Sequence, residues 1–219
     1  MTARAADPTL RVSEIFHSLQ GESTRVGLPT VFIRLTGCPL RCRWCDTTYA
    51  YAGGEILTLG TILGRVAAFG CRTVCVTGGE PLAQSACPDL LAALCDAGYS
   101  VSLETSGAID ITPVDPRVVR IVDLKAPDSG ELASNHWDNL DQLRPIDEIK
   151  LVLASRADYD WAKSVLAERH LADRCTVLFS PVWDSLAPAD LAGWIVDDRL
   201  PVRFQLQLHK LLWGQARGR

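Results

Sequence analysis

No apolar run in this sequence approaches the roughly 20 residues that a helix needs to cross a membrane. The start, Met1 to Leu10, holds no apolar core of a secretory signal and reads as a loose tail. No internal repeat and no low-complexity stretch occurs, which sets aside solenoids and repetitive linkers. Positive charge is not in excess. The 22 Lys and Arg face 26 Asp and Glu, and the net charge of −4 argues against a dedicated nucleic-acid surface. No stretch is long enough to divide domains, so the 219 residues read as one domain able to bury a full core. A hydrophobic content of 47% and a charged content of 22% are ordinary for a soluble globular enzyme.

Short apolar runs alternate with longer amphipathic ones. Strands are predicted at Thr30–Leu35, Thr73–Thr77, Ser100–Glu104, Arg120–Leu124, Glu148–Leu153, Thr176–Ser180 and Arg203–Leu208. They are rich in Val, Ile, Leu and Phe, as parallel strands buried on both faces are. Helices are predicted at Thr58–Phe69, Ala86–Ala97, Ala157–His170 and Pro188–Asp197. Strand then helix, repeated, indicates an α/β fold with a mainly parallel sheet. The connection from Leu103 to Val119 leaves little room for a crossover helix, which suggests a reduced, partly open barrel. The polar stretch from Pro127 to Asn135 reads as a loop over an active site.

Eight cysteines are present, and they fall into two groups. Cys71, Cys75, Cys87, Cys95 and Cys175 lie inside apolar segments, where free cysteine packs as a small hydrophobe. The other three crowd into Gly37-Cys-Pro-Leu-Arg-Cys-Arg-Trp-Cys45, spaced Cys-x3-Cys-x2-Cys. A four-iron cluster is held by cysteine thiolates, and a full set is four. Cys38, Cys42 and Cys45 can therefore hold three irons and leave one open to a substrate or cofactor. The alternative is zinc with a distant fourth ligand, for which His17 or His209 could fold back. An odd trio speaks against a disulfide, and the whole pattern reads as a reducing cytoplasm.

After the second predicted strand comes Thr77-Gly-Gly-Glu-Pro81. Two glycines let backbone approach a ligand closely and expose amide groups. Glu80 then offers a carboxylate suited to an amino group. Ligands of α/β sheets sit at the carboxyl ends of strands, and the cysteine loop also follows a strand end.

Cys-x3-Cys-x2-Cys followed by Gly-Gly-Glu-Pro resembles the radical S-adenosylmethionine enzymes. Further segments narrow the resemblance. Glu14-Ile-Phe-His-Ser-Leu-Gln-Gly-Glu22 and Gly27-Leu-Pro-Thr-Val-Phe-Ile-Arg34 precede the loop, and Cys45-Asp-Thr-Thr-Tyr49 follows it. Leu103-Glu-Thr-Ser-Gly107, Asp123-Leu-Lys-Ala-Pro127, Glu148-Ile-Lys-Leu-Val152 and Gln205-Leu-Gln-Leu-His-Lys210 come later. This ordered set, from Glu14 to Trp213, resembles the 7-carboxy-7-deazaguanine synthases.

The resemblance implies a partial, reduced (β/α) barrel of the radical S-adenosylmethionine type. It implies conversion of 6-carboxy-5,6,7,8-tetrahydropterin into 7-carboxy-7-deazaguanine with loss of ammonia, feeding queuosine and other 7-deazapurines. It implies a [4Fe-4S] cluster on Cys38, Cys42 and Cys45, and S-adenosylmethionine held by Thr77, Gly78, Gly79, Glu80 and Glu104. Ser106 stands where relatives commonly carry Asn, so its contact with S-adenosylmethionine is weaker. Magnesium falls to Thr47, with Asp46 beside it, since hydroxyl and carboxylate oxygens suit that ion. Gln20, Gly21, Glu22 and His209 would read the guanine-like edge of the pterin, and Arg34 would clamp its carboxylate. An electron donor such as flavodoxin or ferredoxin and a homodimer are also implied. The resemblance leaves the roles of Lys125 and Lys150 open.

Rival readings remain at this level. A glycyl-radical activase shares the cysteine spacing but would dock a protein. A small electron carrier needs four cysteines per cluster. A zinc-stabilised binding module would carry no chromophore.

Overall fold

The computed structural model describes residues 7–214 and 216–219. One nine-stranded sheet organises them, in the order β3-β1-β2-β4-β5-β6-β7-β8-β9. The strands are β1 (Thr9–Leu19), β2 (Pro29–Leu35), β3 (Glu55–Thr58), β4 (Thr73–Gly78) and β5 (Ser100–Thr105), followed by β6 (Val119–Leu124), β7 (Glu148–Leu153), β8 (Thr176–Pro181) and β9 (Arg203–Phe204). From β2 to β9 all neighbours run parallel, while β1 is antiparallel to both β2 and β3. The sheet does not close on itself and forms an open, partial α/β barrel, as the resemblance implied.

The helices are α1 (Leu59–Ala67), α2 (Cys87–Asp96), α3 (Arg156–Glu168), α4 (Leu171–Arg174), α5 (Pro188–Asp197) and α6 (Leu208–Trp213). Local chemistry starts them. The Thr58 hydroxyl accepts from Thr61 N at the head of α1, and the Ser155 hydroxyl from Asp158 N at the head of α3. Proline opens α2 and α5, where a missing N–H costs nothing. No helix connects β5 to β6, and only short 3₁₀ turns between Pro127 and Gln142 connect β6 to β7. That is the reduction expected from the short Leu103–Val119 connection.

Strand alternation divides the sheet into two faces. Val31, Ile33, Val74, Val76, Val101 and Leu103 point outward into a core shared with α1 and α2. Val122, Leu124, Ile149, Leu151, Val177 and Phe179 point into a second core with α3 and α5. The intervening residues face inward and are mostly polar.

Two expectations are corrected. The loose tail was placed at residues 1–10; residues 1–6 lie outside the described residues, but Thr9 and Leu10 already belong to β1. Leu10 is buried in the first core. The polar residues interspersed in β1 hid it, because they break the continuous apolar run. The predicted strand Arg203–Leu208 ends at Phe204, and α6 begins at Leu208. The Gln205 amide exchanges two 2.7 Å hydrogen bonds with the Ser23 backbone, and Leu208 N donates to Gly21 O. The segment thereby turns toward the loop after β1 instead of following β8.

Candidate active site

The inward residues of five successive strands line one cavity of about 560 Å³. They are Arg34 from β2, Thr77 from β4, Glu104 from β5, Asp123 from β6 and Lys150 from β7. Arg34 is the register partner of Thr77, and Asp123 that of Lys150. The cysteine loop, the loop after β1 and helix α6 close the sides.

Cys38, Cys42 and Cys45 all line this cavity and are half-buried. Their loop leaves β2 at Gly37, whose φ of +100° is a conformation that glycine adopts without strain. Backbone bonds fix it on two sides. Glu80 N donates to Gly37 O at 2.7 Å, and Gly79 N to Leu35 O at 3.1 Å. Across the cavity mouth, Arg43 N donates to Ser129 O and Arg41 N to the Glu131 carboxylate. The Pro127–Asn135 stretch is thus the clasp of the cysteine loop. Cys75, Cys87 and Cys175 are buried, and Cys71 and Cys95 pack at the edge of the first core.

Among the described residues, no three His, Cys, Asp or Glu side chains converge as a single ion requires. A zinc ion draws its ligands to a common centre at about 2.0–2.3 Å. A four-iron cluster instead spreads its thiolates over several irons. Three half-buried thiols on one short loop fit such a cluster. The close approach of the Gly78-Gly79 turn fits a cradle beside it. A Cβ on Gly79 would lie 2.3 Å from Gly37 O and 2.8 Å from the Cys38 Cβ.

Glu80 is not where the sequence suggested. Its carboxylate is fully buried rather than presented to a ligand. It accepts from Leu82 N, the Thr105 hydroxyl, Ser106 N and the Ser106 hydroxyl. It ties the end of β4 to the end of β5. Ser106 lines the cavity, but its hydroxyl is committed to Glu80. What the turn presents is the backbone of Gly78 and Gly79.

The residues expected to read a substrate do gather. Gln20, Gly21, Glu22, Arg34 and His209 all line the cavity. Gln20 Nε2 donates to Glu104 at 3.1 Å, and its Oε1 accepts from Glu22 N at 3.2 Å. Glu22 pairs with Lys150 at 2.6 Å and accepts from Gln207 at 2.7 Å. Burial pushes the Glu22 carboxyl up, but the Lys150 charge and the bonds from Lys150 and Gln207 outweigh it and hold it at about 2. Burial raises Glu104 as well, and there it prevails. His209 stands so close to Gly21 that a Cβ there would sit 2.1 Å from its Nδ1. Arg34 gives its Nε to Glu14 at 2.7 Å, and Glu14 also accepts from the Tyr49 hydroxyl at 2.7 Å. Burial and this contact push Tyr49 up to about 12.

Thr47 lines the cavity, and its hydroxyl lies 3.8 Å from the Cys45 sulfur. Asp46 is paired with Lys210 of α6 at 3.0 Å, so its charge is already compensated. Lys125, Asp123 and Lys150 form a continuous ion chain, at 3.2 and 3.3 Å. Asp123, Gln207, Glu14 and Tyr49 were missed as site residues. Asp123 could have been found, since it alternates with the apolar Val122 and Leu124.

Residues 32–123 match the Radical SAM superfamily. With its open sheet, its three-cysteine loop and its Gly-Gly turn at adjacent strand ends, the chain is a radical S-adenosylmethionine enzyme. It is 48% identical to the 7-carboxy-7-deazaguanine synthase of Chlorobaculum tepidum, an alignment covering 98% of this chain and 99% of that protein. It is 41% identical to that of Koribacter versatilis, over 93% of this chain and 97% of that protein. The fold matches the crystal structure of QueE from Escherichia coli with a TM-score of 0.77 at 24% identity, over 92% of this chain and 95% of that chain. The chain belongs to the 7-carboxy-7-deazaguanine synthase family.

Proposed function

We propose that this enzyme contracts the ring of 6-carboxy-5,6,7,8-tetrahydropterin to 7-carboxy-7-deazaguanine, releasing ammonia, as the names of its full-length relatives suggest. The carrying observation is that one cavity holds both the cysteine loop and the Gln20–Glu22–His209 group. In this reading Cys38, Cys42 and Cys45 hold a [4Fe-4S] cluster. The backbone at Gly78 and Gly79, with Thr77 and Glu104 nearby, holds S-adenosylmethionine, and Glu80 and Ser106 brace that backbone. When bound, cluster and S-adenosylmethionine supply a hydrogen-abstracting carbon radical.

The chain's own residues then position the substrate. Glu22, held as an anion, accepts from ring N–H groups. Gln20 and Gly21 support it, and His209 adds a polar contact. Arg34 lines the cavity and gives its Nε to Glu14, and its terminal nitrogens would meet the substrate carboxylate. Magnesium would sit at Thr47, with Asp46 a weaker partner because Lys210 competes for it. The inward polar wall replaces water around the reacting centre.

An electron donor such as flavodoxin or ferredoxin, a homodimer and a cytoplasmic location complete the reading. All eight cysteines are free, which supports a reducing compartment. Among the described residues no helix is long and apolar enough to cross a membrane. The test is turnover of substrate deuterated at C6 by anaerobically reconstituted enzyme with S-adenosylmethionine, magnesium and dithionite. Deazaguanine product is expected, with deuterium passing into 5′-deoxyadenosine and, as the cofactor is regenerated, into recovered S-adenosylmethionine. Cleavage of S-adenosylmethionine without any deazaguanine would move the substrate class elsewhere.

A further inference from the structure

We infer that Lys150 is a positioning residue that keeps Glu22 an anion aimed into the cavity, and so fixes the sign of its hydrogen bonding toward the substrate ring. The substrate part of this inference rests on the reading above. Two inward positions of β7 grip the loop after β1. Glu148 accepts from Thr24 N at 3.0 and 3.2 Å and from the Thr24 hydroxyl. Two residues on, Lys150 Nζ meets Glu22 Oε2 at 2.6 Å. Behind it, Asp123 of β6 holds the same ammonium at 3.3 Å, from the directly opposed register position. Lys150 is therefore held from the sheet side and presents its charge to the loop side.

The chemistry makes this placement consequential. An ionised carboxylate only accepts hydrogen bonds, whereas a protonated one also donates. A ring edge of N–H groups needs the acceptor. Glu22 is 8% exposed, so burial alone favours its neutral form. The charged groups facing it are Lys150 from β7, Glu104 from β5, His209 from α6 and, behind Lys150, Asp123 from β6. Of these Lys150 is the only lysine or arginine in direct contact with Glu22 among the described residues. Without it, two buried carboxylates, Glu22 and Glu104, would share one site, and such pairs do not both ionise readily. The Lys150 ammonium against it holds the Glu22 carboxyl well below the usual carboxylate range, which keeps it an acceptor.

The test is a titration of the oxidised holoenzyme carrying carboxyl-13C glutamate, with Glu22→Gln used to assign the signal. In the parent protein the Glu22 resonance should stay that of an anion between pH 5 and 8. In Lys150→Met it should titrate within that interval. In turnover, Lys150→Met should raise KM for the carboxylated tetrahydropterin about tenfold to a hundredfold at pH 6.5. The penalty should shrink toward pH 8.5, and kcat should change less. In a Glu22→Gln background, adding Lys150→Met should change KM little. Lys150→Arg, which keeps the charge, should show a flat pH profile; it carries the test if Lys150→Met does not fold. A Glu22 resonance that remains an anion throughout in Lys150→Met would overturn the inference. So would an equal KM penalty with and without Glu22, or a pH-dependent KM in Lys150→Arg. Failure of the parent enzyme to convert the tetrahydropterin would refute the substrate reading alone, because the titration needs no substrate.

Discussion

Replacing Glu80 by Gln separates a carboxylate that binds a ligand from one that ties two strands together. In the structure four donors converge on the buried Glu80 side chain, two of them from Ser106. An amide keeps one acceptor oxygen and turns an NH₂ toward the other two donors. The Ser106 hydroxyl can rotate to accept, but Ser106 N–H cannot. A buried donor left without a partner costs about 1–3 kcal/mol, and hydrogen bonds to a charged group contribute about 1.5–3 kcal/mol. A loss of about 3 kcal/mol is therefore expected. At roughly 2–4 °C per kcal/mol for a chain of this size, Tm should fall by about 6–12 °C. The assay is thermal unfolding under anaerobic conditions, with and without S-adenosylmethionine. The fall should be present without it, while the increment from binding shrinks only as the Gly78-Gly79 backbone loosens. An unchanged Tm in the absence of S-adenosylmethionine, joined to complete loss of its increment, would refute the reasoning and make Glu80 a direct ligand contact.

Gly79→Ala should lower iron retention and S-adenosylmethionine affinity, because its Cβ would overlap Gly37 O and Cys38; overpacking of this kind costs about 1–3 kcal/mol. Gly64→Ala in α1, where nothing lies within 4 Å of the added Cβ, should be stabilising by about 0.5–1 kcal/mol, read from the same unfolding curves. Alanine at Cys38, Cys42 or Cys45 should abolish cluster assembly, measured as iron and sulfide per chain, whereas Cys87→Ala and Cys95→Ala should retain it. Asp147 sits buried between Arg120 and Arg144. Burial raises its carboxyl, but hydrogen bonds from both arginines take it from 3.8 to about 2. Its contribution is present above its unfolded value and should be lost as pH falls from about 4 toward 2, visible in acid unfolding. Asp147→Asn should cost roughly 3–5 kcal/mol in urea unfolding, since it strands two cations.

The parallel strands were legible because each is a continuous apolar run, and β7 was placed at its observed bounds. β1 was not, because Arg11, Ser13, Glu14, His17 and Ser18 interrupt its apolar residues and a register shift between Val12 and Glu14 breaks the period of two. The start of α6 was hidden because it is set by a backbone bond from Leu208 to Gly21, far away in the chain. Within the site, the meeting of the cysteine loop and the Gly-Gly turn in one cavity was readable, since each follows the end of an adjacent parallel strand. The work of Glu80 was not, because its partners Thr105 and Ser106 lie one strand further on. The ion chain through Asp123 was invisible for the same reason: only the register of β6 on β7 brings Asp123 opposite Lys150.

The alternation of β6 and β7 also constrains how this lineage can change. Outward residues such as Val122 and Ile149 belong to a core, and inward residues such as Asp123 and Lys150 to the cavity. Each strand therefore carries two messages, interleaved one residue apart. Substitution can edit one message and leave the other intact. Insertion or deletion of a single residue cannot, because it would turn Asp123 or Lys150 into the helix layer and an aliphatic side chain toward the substrate. Strand length is frozen while loop length is free. A descendant with a new substrate should differ at inward positions and in the loops, over an outward face that hardly drifts.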